Sequence, residues 1–379
     1  MCYTGSMSRS VLGLALLGVT LFVACSDDGG SAEDDKRSKK KDAGADAALV
    51  TDGGAPEGST SEAGLAYVDV PLTVVLRNSG GGKGLAVPLA VGASAAVPLL
   101  VDTGSAGVHI LASDIAPGSI TRTGRAVREE YVDGTELVGE EAMAQVSFGA
   151  ARTGIIAIHV VDRVGCVSGR AGCSGQDGSD FFHAHGTSGI VGITLGNSVA
   201  EPAIYSPIAQ IPGVLGSAYT IRTNGYAGTT GTLTLGNPPG GLPFAEIPLV
   251  RESAGTLPNG VPAWNDARVN VCYSVDNTPI QNDCGPSIFD TGATALFWST
   301  NRLLLSQQSF GALAPGYTFH AKVDGVFEWS FTVANPAVPG VDMVLPSPGA
   351  FNTNLGVGIF FAYDIRYDHK AGKLGIRKR

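Results

Sequence analysis

Apolar positions along this chain fall into short runs separated by glycine-rich turns. From Leu65 onward the stretch "LAYVDVPLTVVLR" alternates or clusters Val, Leu and Tyr in the way strands do, and similar runs follow down to the C-terminus. Patterns with a 3.6-residue period are nearly absent. The reading is an all-β, mainly antiparallel protein. One segment breaks the pattern: "VLGLALLGVTLFVA", residues 11–24, is continuously apolar and follows the short positive start Met7-Ser8-Arg9-Ser10. It is too short to serve comfortably as a permanent membrane span, so it reads as an export signal.

That segment closes on "LFVAC", with small Ala24 before Cys25, and resembles the lipobox of bacterial lipoproteins. The resemblance implies that residues 1–25 form a lipoprotein signal ending at Cys25, whose thiol is acylated; an ordinary secretory signal cut nearby is the alternative. Acyl chains, at about 0.8 kcal/mol per buried methylene, would then hold the protein on a membrane. Ser26 is compatible with the outer membrane or the periplasmic face of the bacterial envelope. Residues 26–65 are mostly Asp, Gly, Ala, Ser and Lys, cannot bury enough apolar surface to repay ordering, and predict a flexible tether. Their basic run "KRSKKK" reads either as a propeptide segment covering an acidic cleft or as a solvated stretch near anionic headgroups. Acidic residues on both sides favour the second.

A length of 379 residues exceeds the usual size of a single core, so two packed units are expected, at 66–240 and 241–379. Gly, at 53 residues, is about twice its ordinary share, in keeping with many tight turns. The net charge of -9 offers no basic stripe to displace counterions from phosphates, which argues against a nucleic-acid partner. Cys2 precedes the natural-looking start at Met7. Cys166 with Cys173, and Cys272 with Cys284, are candidates for two local disulfides in an oxidising compartment. Metal binding competes weakly, since neither pair has C-x-x-C spacing.

The chemistry concentrates in a repeated figure. "PLLVDTGSAGVHIL", residues 98–111, ends an apolar run on Asp102 and turns at once through Thr103, Gly104 and Ser105. "GPSIFDTGATALFW", residues 285–298, repeats it with Asp290, Thr291 and Gly292, followed by Ala293. A later "SGIVGI" and "TNLGVGIFF" extend the duplication. Gly permits the tight turn, Thr can hydrogen-bond across to the opposing turn, and Asp is presented at a strand end. Two such turns face to face put both carboxylates in contact. Like charges that close cannot both ionise, so one proton is shared, which suits activation of a water by general acid–base chemistry. No metal or other cofactor is required.

On these residues the chain resembles the pepsin-like aspartic proteases, two-lobed β-proteins with D-T-G-[ST] in each lobe, over most of residues 66–379. More particularly, "LVDTGSAGVHILAS" and "DTGATALFW" are similar to a group of bacterial pepsin-fold proteins without a defined function. The resemblance implies a bilobal fold with a cleft between the lobes, Asp102 and Asp290 as catalytic aspartates, and a polypeptide substrate handled by a monomer. "REEYVDGTELVGEE" resembles the flap hairpin, which makes Tyr131 the match to the tyrosine that covers substrate; a plain cross-strand packing role is the alternative. Ser105 matches the hydroxyl residue beside the first aspartate. Ala293 departs from the pattern, so fewer hydrogen bonds to Asp290 are expected, with the upper pKa of the pair raised toward neutrality. His109 stands where a tryptophan usually bonds the flap tyrosine, and reads either as its replacement or as a packed strand residue. His183 and His185 in "HAH" lack a third ligand for a metal. The leading function is an exported aspartic endopeptidase. The alternative is a catalytically weak or inactive lipoprotein of the same fold that binds or inhibits.

Overall fold

The computed structural model describes residues 65–77, 82–170, 173–196, 204–240, 243–257, 259–303, 305–309, 311–334 and 343–379. Cys25, the signal at 1–25 and all but the end of the tether lie outside the described residues.

Strands dominate, as the short β-branched runs predict, and the only α-helix among the described residues is the single turn Asp180–His183. Thirteen strands make one sheet, and seven more make a second. Toward one end of the larger sheet the first described strand and the last lie in one run of paired strands. The C-terminal hairpin of Tyr363–Asp368 and Lys373–Lys378 lies against Ala218–Thr223, which pairs with Thr230–Gly236, which pairs with Tyr67–Leu76. Ala245–Pro248 closes that edge on Lys373–Lys378. The stretch 231–250 thus runs from one strand of this sheet to another.

Burial follows the sequence pattern. Val269–Val275 buries Val269, Val271, Tyr273 and Val275 while Asn270 faces out, the period-2 signature of a strand with one covered face. Lys83–Val91, Ala106–Leu111 and Gly189–Ile193 are buried almost throughout, as strands covered on both sides must be. Tyr219 and Tyr367 stack at 4.8 Å between ring centroids. Each buried ring also places its hydroxyl: Tyr219 donates to the Ile193 carbonyl at 2.7 Å, and Tyr367 to the Phe289 carbonyl at 2.8 Å. Phe289 immediately precedes Asp290, so the tyrosine stack anchors one of the two acidic turns.

Both disulfides form within their local pairs. Cys272–Cys284 joins two directly paired residues of neighbouring strands, the second of which leads to Asp290. Cys166–Cys173 closes the end of the Ala151–Cys166 strand.

Candidate active site

Each aspartate sits at the centre of the same local plan. Strand Val97–Asp102 runs parallel to Gly189–Ile193, with Asp102 opposite Gly192, and the chain returns past the turn as Ala106–Leu111, antiparallel to that same strand. In the second copy, Asp283–Ile288 runs parallel to Thr353–Asn354, and Leu296–Trp298 returns antiparallel to it. An inserted strand between the two arms of each turn holds its aspartate at the mouth of the sheet.

The turns grip one another through their threonines. The Thr103 N–H donates to Thr291 Oγ1 at 3.1 Å, and the Thr291 N–H donates to Thr103 Oγ1 at 3.0 Å. Each hydroxyl then donates onward across the boundary, Thr103 to the Phe289 carbonyl at 2.6 Å and Thr291 to the Val101 carbonyl at 2.7 Å. Both threonines are buried, so all four groups would be orphans without the partner turn. The glycines are fixed by the same approach. A Cβ on Gly104 would lie 2.8 Å from Asp290 Cγ, and one on Gly292 would lie 2.7 Å from Asp102 Cγ. Any side chain there would occupy the space of the opposing carboxylate.

The carboxylates themselves are matched bond for bond. Asp102 Oδ1 accepts from the Gly104 N–H at 2.8 Å and Asp290 Oδ1 from the Gly292 N–H at 2.7 Å. Asp102 Oδ2 accepts from the Ser105 hydroxyl at 2.6 Å. The expected shortage at Asp290 does not occur. Asn354 Nδ2 donates to Asp290 Oδ2 at 2.5 Å, while its own Oδ1 is oriented by the Gly356 N–H at 2.9 Å. The hydroxyl missing at Ala293 is therefore replaced by an amide from the inserted strand. Burial first, and the Asp102 charge second, raise the Asp290 carboxyl well above the usual carboxylate range, against the opposing pull of Asn354. The cause is desolvation, not a lost hydrogen bond.

Two further side chains close over the pair. Tyr131 follows strand Thr121–Glu130 at the tip of a hairpin with Thr135–Phe148; its N–H donates to the Thr135 carbonyl at 2.8 Å. Its ring packs on the cluster containing Leu100, Leu137 and Phe182. Its hydroxyl is buried close enough to Ser105 to be stabilised by it, yet makes no hydrogen bond of good geometry. Arg77, at the end of strand Tyr67–Leu76, donates to the Gly292 carbonyl from its guanidinium and has Nε buried without a partner among the described residues. Burial lowers the Arg77 pKa, against the pull of Asp102, Asp133 and Asp290.

His109 does not reach Tyr131. It is fully buried, with Nε2 at 3.0 Å from the Ala106 carbonyl and Nδ1 at 3.0 Å from Nδ1 of His159. Only Nε2–H of His109 can serve the carbonyl, so His159 donates from Nδ1 and both rings stay neutral. Burial lowers both pKa values, that of His159 to about 2. The pair is a packing element behind the first turn. His183 pairs with Asp114 at 3.1 Å, while His185 packs edge-on against Phe181 and lies near the Leu76 carbonyl and the Arg77 charge; burial, and then that charge, lower its pKa.

Near the hairpin tip, Asp133 accepts from the Thr135 N–H and hydroxyl, both at 2.9 Å, and from the Ser174 N–H at 3.3 Å, just past the Cys166–Cys173 bridge. That disulfide braces the hairpin near its tip, where Cys166 stands opposite Thr135.

The sequence motifs mark neither Asn354 nor Arg77 as a site residue. The polar residue in "TNLG", where the first copy has only apolar residues before its Gly, was the one available signal for Asn354. Arg77 had none.

No protein-family model matches the sequence, and no curated protein matches it. Among solved structures the chain is similar to an aspartic proteinase from Irpex lacteus, with a TM-score of 0.58 and 18% identity, over 83% of this chain and 97% of that one. The likeness shows the fold: all-β, two-lobed and pepsin-like.

Proposed function

We propose that the chain is an aspartic endopeptidase in which Asp102 and Asp290 activate water against a peptide bond. The observation that carries the reading is the carboxylate pair itself, buried, matched in its donors and locked by crossed threonine hydrogen bonds. A turn needed only for structure would not require two acids in each other's path.

In the proposed cycle Asp290 holds the shared proton and the negative charge rests on Asp102. Asp102 takes a proton from the water as its oxygen attacks the amide carbon, and the Asp290 proton passes to the developing oxyanion. Collapse of the tetrahedral species returns that proton to Asp290 while the proton on Asp102 goes to the leaving amine. Tyr131 would cover the bound segment, and its unpartnered hydroxyl would find an acceptor there. Both half-sites come from one chain, so a monomer suffices.

The binding-module alternative rests on the altered flap setting, on Ala293, on His109 in place of the tryptophan and on the lack of an evident zymogen segment; Asn354 answers the Ala293 departure alone. The test is degradation of unfolded protein by residues 66–379 between about pH 3 and 8, with Asp102→Asn and with pepstatin. Cleavage that survives either treatment would refute the dyad. Export and anchoring are also proposed, on the sequence "LFVAC"; mass spectrometry of the membrane fraction should find Cys25 acylated and N-terminal.

A further inference from the structure

The hairpin over the aspartates carries a third carboxylate that the reaction does not use. Strand Thr121–Glu130 alternates cleanly near its end. Val127 is buried, Tyr131 packs inward, and Glu129 lies between them on the same face, directly across from fully buried Leu137. The other face takes care of its own charges: Arg128 pairs with Glu130 at 2.7 Å and with Glu136, which also pairs with Arg163 at 3.0 Å. Glu129 has no such partner. Among the described residues no cation and no hydrogen-bond donor reaches its carboxylate, which is half-buried and near enough to Asp102 to be repelled by it.

A carboxylate is costly to hold half-buried, on the inner face of the strand that leads to Tyr131, unless something of opposite charge arrives to meet it. A long cationic side chain can carry its charged head to such a carboxylate. We propose that Glu129 is a specificity-determining residue that makes the cleft select polypeptide segments carrying a lysine or arginine side chain beside the dyad. The proposal rests on the reading of the cleft as a polypeptide site and names which polypeptides it takes. In agreement, burial and then the Asp102 and Glu130 charges push the empty carboxyl up to about 7. An arriving ammonium or guanidinium would offset that burial and restore the anion.

The experiment measures equilibrium binding of fluorescent hexapeptides that differ only in lysine or norleucine at each central position. The protein is the full chain carrying Asp290→Asn, with and without E129Q, and near-ultraviolet circular dichroism checks that both variants are folded. The expected result is at least tenfold tighter binding of lysine over norleucine at one position, falling to a ratio near one with E129Q. A ratio near one before the substitution, a ratio that survives it, or no peptide binding at all would overturn the proposal. Cleavage of the same peptides by the unsubstituted chain is scored separately. A lysine preference in binding without any cleavage supports Glu129 and refutes the dyad.

Discussion

Asn354 gives Asp290 the hydrogen bond that Ser105 gives Asp102: an amide at 2.5 Å on one side answers a hydroxyl at 2.6 Å on the other. The two carboxylates are equal in donor count although the turns that carry them differ in sequence. A hydrogen bond to an ionised group contributes roughly 1.5–3 kcal/mol. Asn354→Ala should therefore slow turnover by about tenfold to a hundredfold. Loss of a donor to the anion raises the upper pKa of the pair, so the alkaline limb of kcat/KM against pH should move upward. Adding Ala293→Ser to that variant should restore part of the rate. An unchanged pH profile in Asn354→Ala would leave the amide without a function.

The raised pKa of Asp290 also bears on stability. An unfolded aspartate titrates near about 3.9, so between that value and the raised one the folded protein keeps a proton that the unfolded chain has lost. The stabilisation from that proton is complete below about pH 4 and disappears as pH rises through the folded-state value. Asp290→Asn is neutral throughout and escapes the loss. Calorimetric Tm values from about pH 3.5 to 8 should show the wild type falling relative to the variant across that window. Parallel curves would mean that Asp290 is not held protonated.

Thr103 and Thr291 make four crossed bonds in a buried setting. Replacing either with Val removes a donor and an acceptor and strands their partners, at a cost of roughly 2–4 kcal/mol in urea unfolding. Each hydroxyl serves its own pair of bonds, but losing one pair lets the turns part and weakens the other, so the double variant should cost clearly less than the sum. Strict additivity would show that the two turns are held by something else.

The Cys166–Cys173 bridge braces the hairpin that bears Tyr131 and Glu129. Its replacement by two serines should remove roughly 2–3 kcal/mol, the amount expected for a short closed loop. Looser docking of the hairpin should raise KM for peptides more than it lowers kcat. The reverse split would place the bridge outside substrate handling.

The all-β class was legible because strand periodicity and turn chemistry are local properties of the sequence. So were the residues of each acidic turn, which are contiguous. Asn354 was not, since it lies 64 positions from Asp290 and reaches it only through strand insertion. The contact of Arg77 with Gly292 spans 215 positions and leaves no local trace. His109 was ambiguous for a similar reason: its partner His159 stands on another strand, 50 positions away, and only tertiary pairing decides between a packed ring and a free donor.

The threonine grip joins residues 188 positions apart. A chain is made from its N-terminus, so the first turn emerges long before anything exists to complete it. Thr103 has no hydroxyl to receive its N–H and Asp102 no neighbour with which to divide a proton until the second turn has arrived. The Tyr219 stack closes later still, once Tyr367 is delivered. The order of synthesis thus keeps the two carboxylates apart until the second turn is made, and a chain interrupted between Asp102 and Asp290 carries one half of the pair.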